Sequence, residues 1–231
     1  MTVTLHEWRI SPFCNKVRKI LRFKGIPFEV VRYNGLRARS AAGLSAVGKL
    51  PVLDLDGHRV QDSGVIARTL EERWPEPRLF PADPVARAEA SVWESWAGDT
   101  LYWFEVYYRF SEPETRQVAI AAVSEGRPAW ERAALSVALP RMYRRKLHEQ
   151  GIGRLPKDEI DRRLREHLDQ LDTILARRPW LVGDACSIAD LSVAPQLEEI
   201  VRTSRPRPWI LERPALAAWL ERIEPELRSQ T

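Results

Sequence analysis

Cysteine is scarce in this chain of 231 residues, which contains only Cys14 and Cys186. Two cysteines so far apart do not predict the disulfide framework of a small secreted protein, and they fit a reducing compartment. Long apolar runs are also missing, because no segment approaches the roughly 18 apolar residues of a membrane-spanning helix and the first residues lack a signal-peptide core. We therefore expect a soluble cytoplasmic protein with no membrane partner.

The chain also lacks blocks of charge of one sign. It has 36 basic and 32 acidic residues, and the two signs alternate along segments such as 158–172. Alternation of this kind indicates a solvated helix face, so we expect no nucleic-acid partner despite the net charge of +4. We also expect no metal site. The hydrophobic content of 44% is enough to bury a core, and the abundance of arginine hints at a bacterial genome.

The first 76 residues alternate strand and helix patterns in the order βαβαββα. The dipeptide Asp56-Gly57 predicts a hairpin turn, and Pro75 and Pro77 should stop the last helix. Strands are predicted at 2–8, 26–33 and on both sides of the hairpin turn, and helices at 12–25, 36–48 and 63–74.

After a proline-rich linker at 77–84, the pattern of residues 85–231 is helical. Apolar residues form one helical stripe along 157–175, at Ile160, Leu164, Leu168, Leu171 and Leu175. Ser187 and Asp190 have the spacing of a capping box, and Pro195 falls inside the helix that follows. The sequence thus predicts an α/β domain (1–76), a linker and an all-α domain (85–231).

The stretch Ser-Pro-Phe-Cys at 11–14 carries the main chemical signal. After a strand, it places Ser11 at the helix N-cap, Pro12 at the first helical position and Cys14 in the first turn. Backbone amides there stabilise an anion such as a thiolate. Ser11 is therefore either a plain helix cap or the partner of a sulfur anion, and Cys14 is either a small buried residue or itself a reactive thiol.

Four motifs in order resemble the cytosolic glutathione transferase superfamily, most closely its serine-type tau class. They are W-x-I-S-P-F at 8–13, GKLPVLDLDG at 48–57, QDSGVIARTLEERWP at 61–75 and LFPADPVARAEASVW at 79–93. The resemblance implies a thioredoxin-like domain followed by a helical bundle, a homodimer, and transfer of glutathione to a small hydrophobic electrophile. In that family the serine matching Ser11 donates a hydrogen bond to the glutathione sulfur.

The resemblance also implies binding roles for five other residues. Leu50 precedes a cis Pro51 and pairs its backbone with the cysteinyl part of glutathione, while Asp62 and Ser63 hold the γ-glutamyl group; the family usually has Glu or Gln where this chain has Asp62. Two cations, Lys49 and Arg37, are candidates for the glycyl carboxylate.

Candidates for the hydrophobic substrate are Phe13, Trp103 and Tyr107, although an aromatic stripe at helical spacing can equally be core. Two other functions stay open. One is a glutathione-dependent disulfide or peroxide reductase that uses Cys14. The other is a binding or scaffold protein without turnover, because residues 148–175 resemble the metaxin and failed-axon-connections branch. No role is assigned to residues 110–156.

Overall fold

Four strands form one mixed sheet in the first third of the chain. The computed structural model describes residues 2–229, and its strands lie in the order β2-β1-β3-β4. Strand β1 runs parallel to β2 and antiparallel to β3, and β3 runs antiparallel to β4. The strands are β1 (Val3–Glu7), β2 (Glu29–Arg32), β3 (Val52–Leu55) and β4 (His58–Gln61).

The local signals of the first domain produce the predicted elements in the predicted order. Asp56 and Gly57 have φ of 53° and 89°, the left-handed conformation that the hairpin turn between β3 and β4 requires. The predicted helix at 36–48 forms as a 3₁₀ helix over Gly35–Leu44. The α-helices of this domain are α1 (Pro12–Phe23) and α2 (Ser63–Arg73).

Every regular element that the structure describes after residue 83 is a helix, as predicted. All five residues of the predicted stripe are buried on one helix, α7 (Lys157–Leu175). Ser187 and Asp190 form the predicted capping box, and Pro195 lies inside the helix that follows, α8 (Ile188–Thr203). The helices are α3 (Pro84–Trp96), α4 (Tyr102–Ser111), α5 (Pro113–Val123), α6 (Ala129–Gln150), α7 (Lys157–Leu175), α8 (Ile188–Thr203), α9 (Arg207–Leu211) and α10 (Pro214–Ser229), with a 3₁₀ turn at Ile152–Arg154.

Helices α3 and α4 are joined by a π-helical turn, Ala97–Leu101. A π turn inserts extra backbone into an α-helix, so the residues after it face a different direction from the one that simple helical spacing predicts. This turn lies opposite the start of α1, because Phe13 approaches Gly98 and packs against Tyr102.

Buried lysines hold the first domain to the helical part of the molecule and to the linker. Lys16 of α1 donates to Glu94 of α3 at 2.6 Å, with both side chains nearly inaccessible to water. Burial lowers the pKa of Lys16, and the carboxylate of Glu94 opposes that shift. Lys24 donates to Glu71 and to the carbonyls of Trp74 and Pro77. None of the helices within residues 2–229 has the length and apolarity needed to cross a membrane.

Candidate functional site

The sheet topology brings the predicted glutathione residues to one edge. Because β1, β2 and β4 run in the same direction and β3 runs against them, the ends of those three strands and the start of β3 share that edge. Each of these chain ends carries predicted residues. They are Ser11 after β1, Arg37 after β2, Lys49 and Leu50 before β3, and Asp62 and Ser63 after β4.

Ser11 occupies the N-cap of α1. Its hydroxyl oxygen accepts a hydrogen bond of 3.3 Å from the amide of Cys14, and its own amide donates to the carbonyl of Trp8 at 2.9 Å. The residue is 9% exposed. The cap role is therefore present, and a hydroxyl that accepts one hydrogen bond still has its own hydrogen to donate to a ligand.

Cys14 lies behind Ser11 in the domain core. It is fully buried and its sulfur accepts a hydrogen bond from the amide of Trp8 at 3.4 Å. Burial raises the pKa of the Cys14 thiol to about 12 and outweighs the opposing hydrogen bond from the amide of Trp8. Since the thiolate is the reactive form of cysteine, this environment is that of a structural thiol.

Leu50 and Pro51 are joined by a cis peptide bond, as the resemblance implied. Lys49 beside them is exposed. At the end of β4, Asp62 has φ of 75° and its carboxylate accepts from the amides of Gly64 and Val65. Asp62 is thus the N-cap of α2.

Ser63 follows as the first residue of α2. Its amide is one of the first of the helix, where no preceding helical carbonyl is available. Ser63 is largely buried, and its hydroxyl makes no hydrogen bond with any residue in the described part of the chain. A second helix N-terminus with donors thus faces the same edge as Ser11, and two such termini favour a ligand with anionic groups.

The 3₁₀ helix that carries Arg37, Gly35–Leu44, is held by a distant helix. The carboxylate of Glu131, near the start of α6, accepts from the amide of Leu36 at 2.9 Å and from Arg127 at 2.6 Å. Both hydrogen bonds lower the pKa of Glu131, and the one from Arg127 has the larger effect. Gly35 leaves room for the carboxylate, because any side chain there would collide with it. Arg37 lies over the ring of Tyr33, 5.5 Å from its centroid.

This docking was not predicted from the sequence. Residues 110–156 had no assigned role, and part of that segment packs against the edge that holds the predicted glutathione residues. Asn34 donates to the carbonyl of Glu125, and Arg9, in the turn before Ser11, forms an ion pair with the carboxylate of Glu125. No local pattern signals such contacts, because their partners are about a hundred residues apart.

The aromatic candidates for the second substrate are divided between two places. Phe13 packs against Tyr102 with ring centroids 5.0 Å apart, and Trp103 packs edge-on against Tyr102 at 5.2 Å. Tyr107 lies elsewhere, in a cavity between α4, α5 and α6. Tyr102, the first residue of α4 after the π turn, was not among the sequence candidates.

Comparisons with known proteins identify the family. Residues 5–78 match the model "Glutathione S-transferase, N-terminal domain", and residues 131–222 match "Glutathione S-transferase, C-terminal domain", which together cover well over half of the chain. The isoprene-epoxide–glutathione S-transferase of Rhodococcus is 27% identical over 224 residues, or 93% of this chain and 91% of that protein. Some other curated relatives match over about half of their own length or less.

Solved structures agree with this assignment. The beta-etherase LigF from Sphingobium is 25% identical and has a TM-score of 0.69, with 100% of this chain and 98% of that chain covered. A glutathione S-transferase from Methylobacterium radiotolerans, solved with glutathione sulfonate, is 26% identical, with a TM-score of 0.64 and coverage of 100% and 94%. These matches do not show the predicted resemblance of residues 148–175 to the metaxin branch. The chain belongs to the cytosolic glutathione transferase superfamily, whose co-substrate is glutathione.

Proposed function

We propose that this protein conjugates the thiolate of glutathione to small hydrophobic electrophiles. The observation that carries the proposal is the convergence of Ser11, Leu50 and Ser63 at one edge of the sheet, with two helix N-termini beside them. In this proposal Leu50 pairs with the cysteinyl backbone, Ser63 and Asp62 hold the γ-glutamyl group, and Lys49 or Arg37 holds the glycyl carboxylate. Family membership supports the same arrangement.

Ser11 would stabilise the ionised sulfur of glutathione by donating its hydroxyl hydrogen. A thiol of ordinary pKa must drop by about two pKa units to be mostly ionised at neutral pH, which corresponds to roughly 2.7 kcal/mol. One hydrogen bond to a charged group contributes about 1.5–3 kcal/mol, and the α1 N-terminus adds to it. In this mechanism Ser11 keeps its own proton and forms no covalent intermediate.

The electrophile would lie between the start of α1 and the π turn. Phe13 and Tyr102 meet there and Trp103 packs beside Tyr102, so these rings would supply an apolar surface near the start of α1. The Rhodococcus relative is named for an epoxide substrate, and the Sphingobium structure is described as a beta-etherase. In both reactions a thiolate attacks a carbon atom and a carbon–oxygen bond breaks, which opens the epoxide ring or releases the aryloxide of the ether. Small epoxides and aryl ethers are therefore the first substrates to test.

Matched variants of the two sulfur-site candidates test the proposal. We expect wild-type protein to conjugate glutathione to a generic aryl halide and to a small epoxide. Ser11→Ala should lower kcat at neutral pH about 10- to 100-fold and shift the pKa of the pH–rate profile upward by about one to two units, since about 1.4 kcal/mol corresponds to tenfold. Cys14→Ser should keep most of the rate. A wild-type protein that binds no glutathione would overturn the proposal.

The reductase alternative loses support from the surroundings of Cys14. A thiol with a pKa of about 12 forms almost no thiolate at neutral pH. Because Cys14 is also fully buried, a disulfide substrate cannot reach its sulfur. The opposite mutant pattern, in which Cys14→Ser abolishes activity and Ser11→Ala keeps it, would restore that alternative.

We also propose a homodimer acting in detoxification in the cytoplasm. Val65 on α2 and Val85 and Val92 on α3 are exposed apolar side chains, as a dimer face on these helices requires. Light scattering of the purified full-length chain should report twice the 26.6 kDa of one chain. A monomer at micromolar concentration would contradict the dimer and leave the conjugation proposal intact.

A further inference from the structure

Helix α6 has two stripes of different character along its 22 residues. One stripe repeats every four residues and packs against the rest of the molecule: Glu131, Leu135, Leu139, Tyr143 and Leu147. The stripe on the other side of the helix is exposed to solvent along its whole length. We call it the outer face of α6, and it consists of Trp130, Ala134, Val137, Arg141, Arg144 and His148.

The outer face of α6 forms a ridge that points away from the body of the protein. At 3.6 residues per turn its six residues lie within an arc of about 80°, whose centre is about 180° from that of the packed stripe. From Trp130 to His148 the ridge extends for about 27 Å at 1.5 Å per residue. A straight helical ridge meets a flat surface along its whole length, whereas a protein partner must supply a groove that receives it.

The first half of the outer face is apolar. Trp130 is 63% exposed, Val137 is 49% exposed, and the exposed Ala134 lies between them. Tryptophan is enriched at the interface between lipid and water, because its ring is apolar and its indole N–H is a hydrogen-bond donor. This half has the composition of an interfacial anchor.

The second half of the outer face is basic. Arg141 and Arg144 belong to it, and Arg132 and Lys146 are exposed on the same helix. Within residues 2–229, none of these four cations forms an ion pair with a carboxylate of α6 or of any other element. Their positive charge is therefore uncompensated.

The acidic residues of α6 are already paired. The helix contains only Glu131, which pairs with Arg127 and is buried, and Glu149, which pairs with Arg145. The outer face itself has no acidic residue. An apolar anchor thus lies next to positive charge that no carboxylate of this helix neutralises.

A bilayer that contains anionic lipids satisfies both halves of the outer face. Its phosphates attract exposed arginine and lysine, its interfacial layer accepts tryptophan, and the two signals together give firmer binding than either alone. An acidic protein segment would match the charge but would need a groove for the ridge. Our expectation of no membrane partner rested on the lack of a spanning segment, and a helix that lies on a lipid surface needs none.

We propose that the outer face of α6 docks this protein on anionic phospholipid bilayers. Arg141 and Arg144 contact the headgroup phosphates, and Trp130 and Val137 enter the interfacial layer. The protein stays at the surface of the bilayer. The docking does not depend on the proposed conjugation of glutathione.

Co-sedimentation of the full-length protein with lipid vesicles tests the proposal. In about 0.1 M salt we expect binding to vesicles of equal parts phosphatidylglycerol and phosphatidylcholine to be at least about tenfold tighter than to phosphatidylcholine alone. About 0.5 M salt should release the protein. The double variant Arg141→Glu/Arg144→Glu should weaken binding at least about tenfold, and Trp130→Ala about threefold or more.

A second double variant, Arg177→Glu/Arg207→Glu, is the matched control. It changes the net charge equally through exposed arginines outside α6, and it should bind within about twofold of wild type. Equal losses in the two double variants would show that only net charge matters and would overturn the proposal. A wild-type protein that ignores the mixed vesicles, or an Arg141→Glu/Arg144→Glu variant that binds them normally, would also overturn it.

The competing occupant, an acidic protein, has its own outcome. Retention on immobilised poly-L-glutamate through Arg141 and Arg144, without vesicle binding, would assign the outer face to an acidic polypeptide and overturn lipid docking. Glutathione conjugation to an aryl halide, measured on the same variants, should stay at the wild-type rate. The failure of docking is therefore distinguishable from the failure of the proposed transferase function.

Discussion

The amide of Leu36 donates a 2.9 Å hydrogen bond to the carboxylate of Glu131, a residue 95 positions further along the chain. This bond connects α6 to the 3₁₀ helix Gly35–Leu44. That 3₁₀ helix carries Arg37, a candidate ligand of the glycyl carboxylate. Arg127 holds the other side of the same carboxylate. The helical domain thus sets the position of one wall of the candidate glutathione site.

We expect Glu131→Gln to raise the KM for glutathione without a comparable loss of kcat. The amide side chain loses the charge-assisted bonds to Leu36 and Arg127, so the 3₁₀ helix that carries Arg37 is less well positioned, and we expect KM to rise about three- to tenfold. Steady-state kinetics at varied glutathione measure this split. Glu149→Gln, which alters an exposed ion pair on the same helix, is the control. Equal KM values for wild type and Glu131→Gln would contradict the positioning role.

Both cysteines should resist alkylation in the native protein. Cys14 and Cys186 are buried, and burial raises both thiol pKa values, that of Cys14 to about 12. Mass spectrometry after treatment with iodoacetamide at mildly alkaline pH should show no modification, and the same treatment in concentrated urea should modify both residues. Rapid labelling of Cys14 without denaturant would show that its surroundings differ from those described.

Glu94→Gln should destabilise the protein strongly. The substitution leaves the ammonium of Lys16 buried without its counterion, and breaking a buried ion pair costs about 3–5 kcal/mol. Urea unfolding monitored by tryptophan fluorescence gives the change in free energy. Glu149→Gln, in an exposed pair, should change stability by less than about 1 kcal/mol. Similar effects of the two substitutions would mean that the Lys16–Glu94 pair contributes no more than a surface pair.

Stability should fall as the pH rises from mildly acidic to mildly alkaline values, because of Glu105. This carboxyl is fully buried beside Arg109, and burial raises its pKa from 4.5 to about 8. The folded state therefore keeps a proton that the unfolded state releases above pH 4.5. The stabilisation is complete below that pH and is lost up to about pH 8, with a slope of at most about 1.4 kcal/mol per pH unit.

Urea unfolding at several pH values measures this dependence. Glu105→Gln should flatten the profile between the two pKa values, since the amide does not titrate. A wild-type profile that is flat or rising across this interval, with the same shape in Glu105→Gln, would show that Glu105 stays ionised beside Arg109 at all of these pH values.

Signals contained within a few residues were enough to predict most elements of the fold. Ser11 and Pro12 begin a helix, Asp56 and Gly57 turn a hairpin, and Ser187 forms a capping box, each because neighbouring backbone groups must be satisfied. The resemblance to a known family located the candidate glutathione residues, whose roles stay predictions. The domain division at 77–84 is likewise a prediction.

What the sequence did not reveal depends on contacts between distant residues or on irregular helix geometry. Glu131 meets Leu36 only after the helical domain folds against the sheet. The π turn changes the direction that α4 side chains face relative to those of α3, while Tyr102 and Tyr107, five residues apart on α4, face different directions by regular helix geometry. Periodicity assumes a regular helix, and it cannot detect an inserted turn.

The fully buried ammonium of Lys24 holds the start of the linker against the first domain. It donates to Glu71 and to two carbonyls of the segment that leaves the first domain, those of Trp74 and Pro77. A fragment truncated at residue 76 would lose the Pro77 carbonyl, and Lys16 would lose Glu94. The thioredoxin-like half is therefore not an autonomous module: the whole molecule should melt in a single cooperative transition.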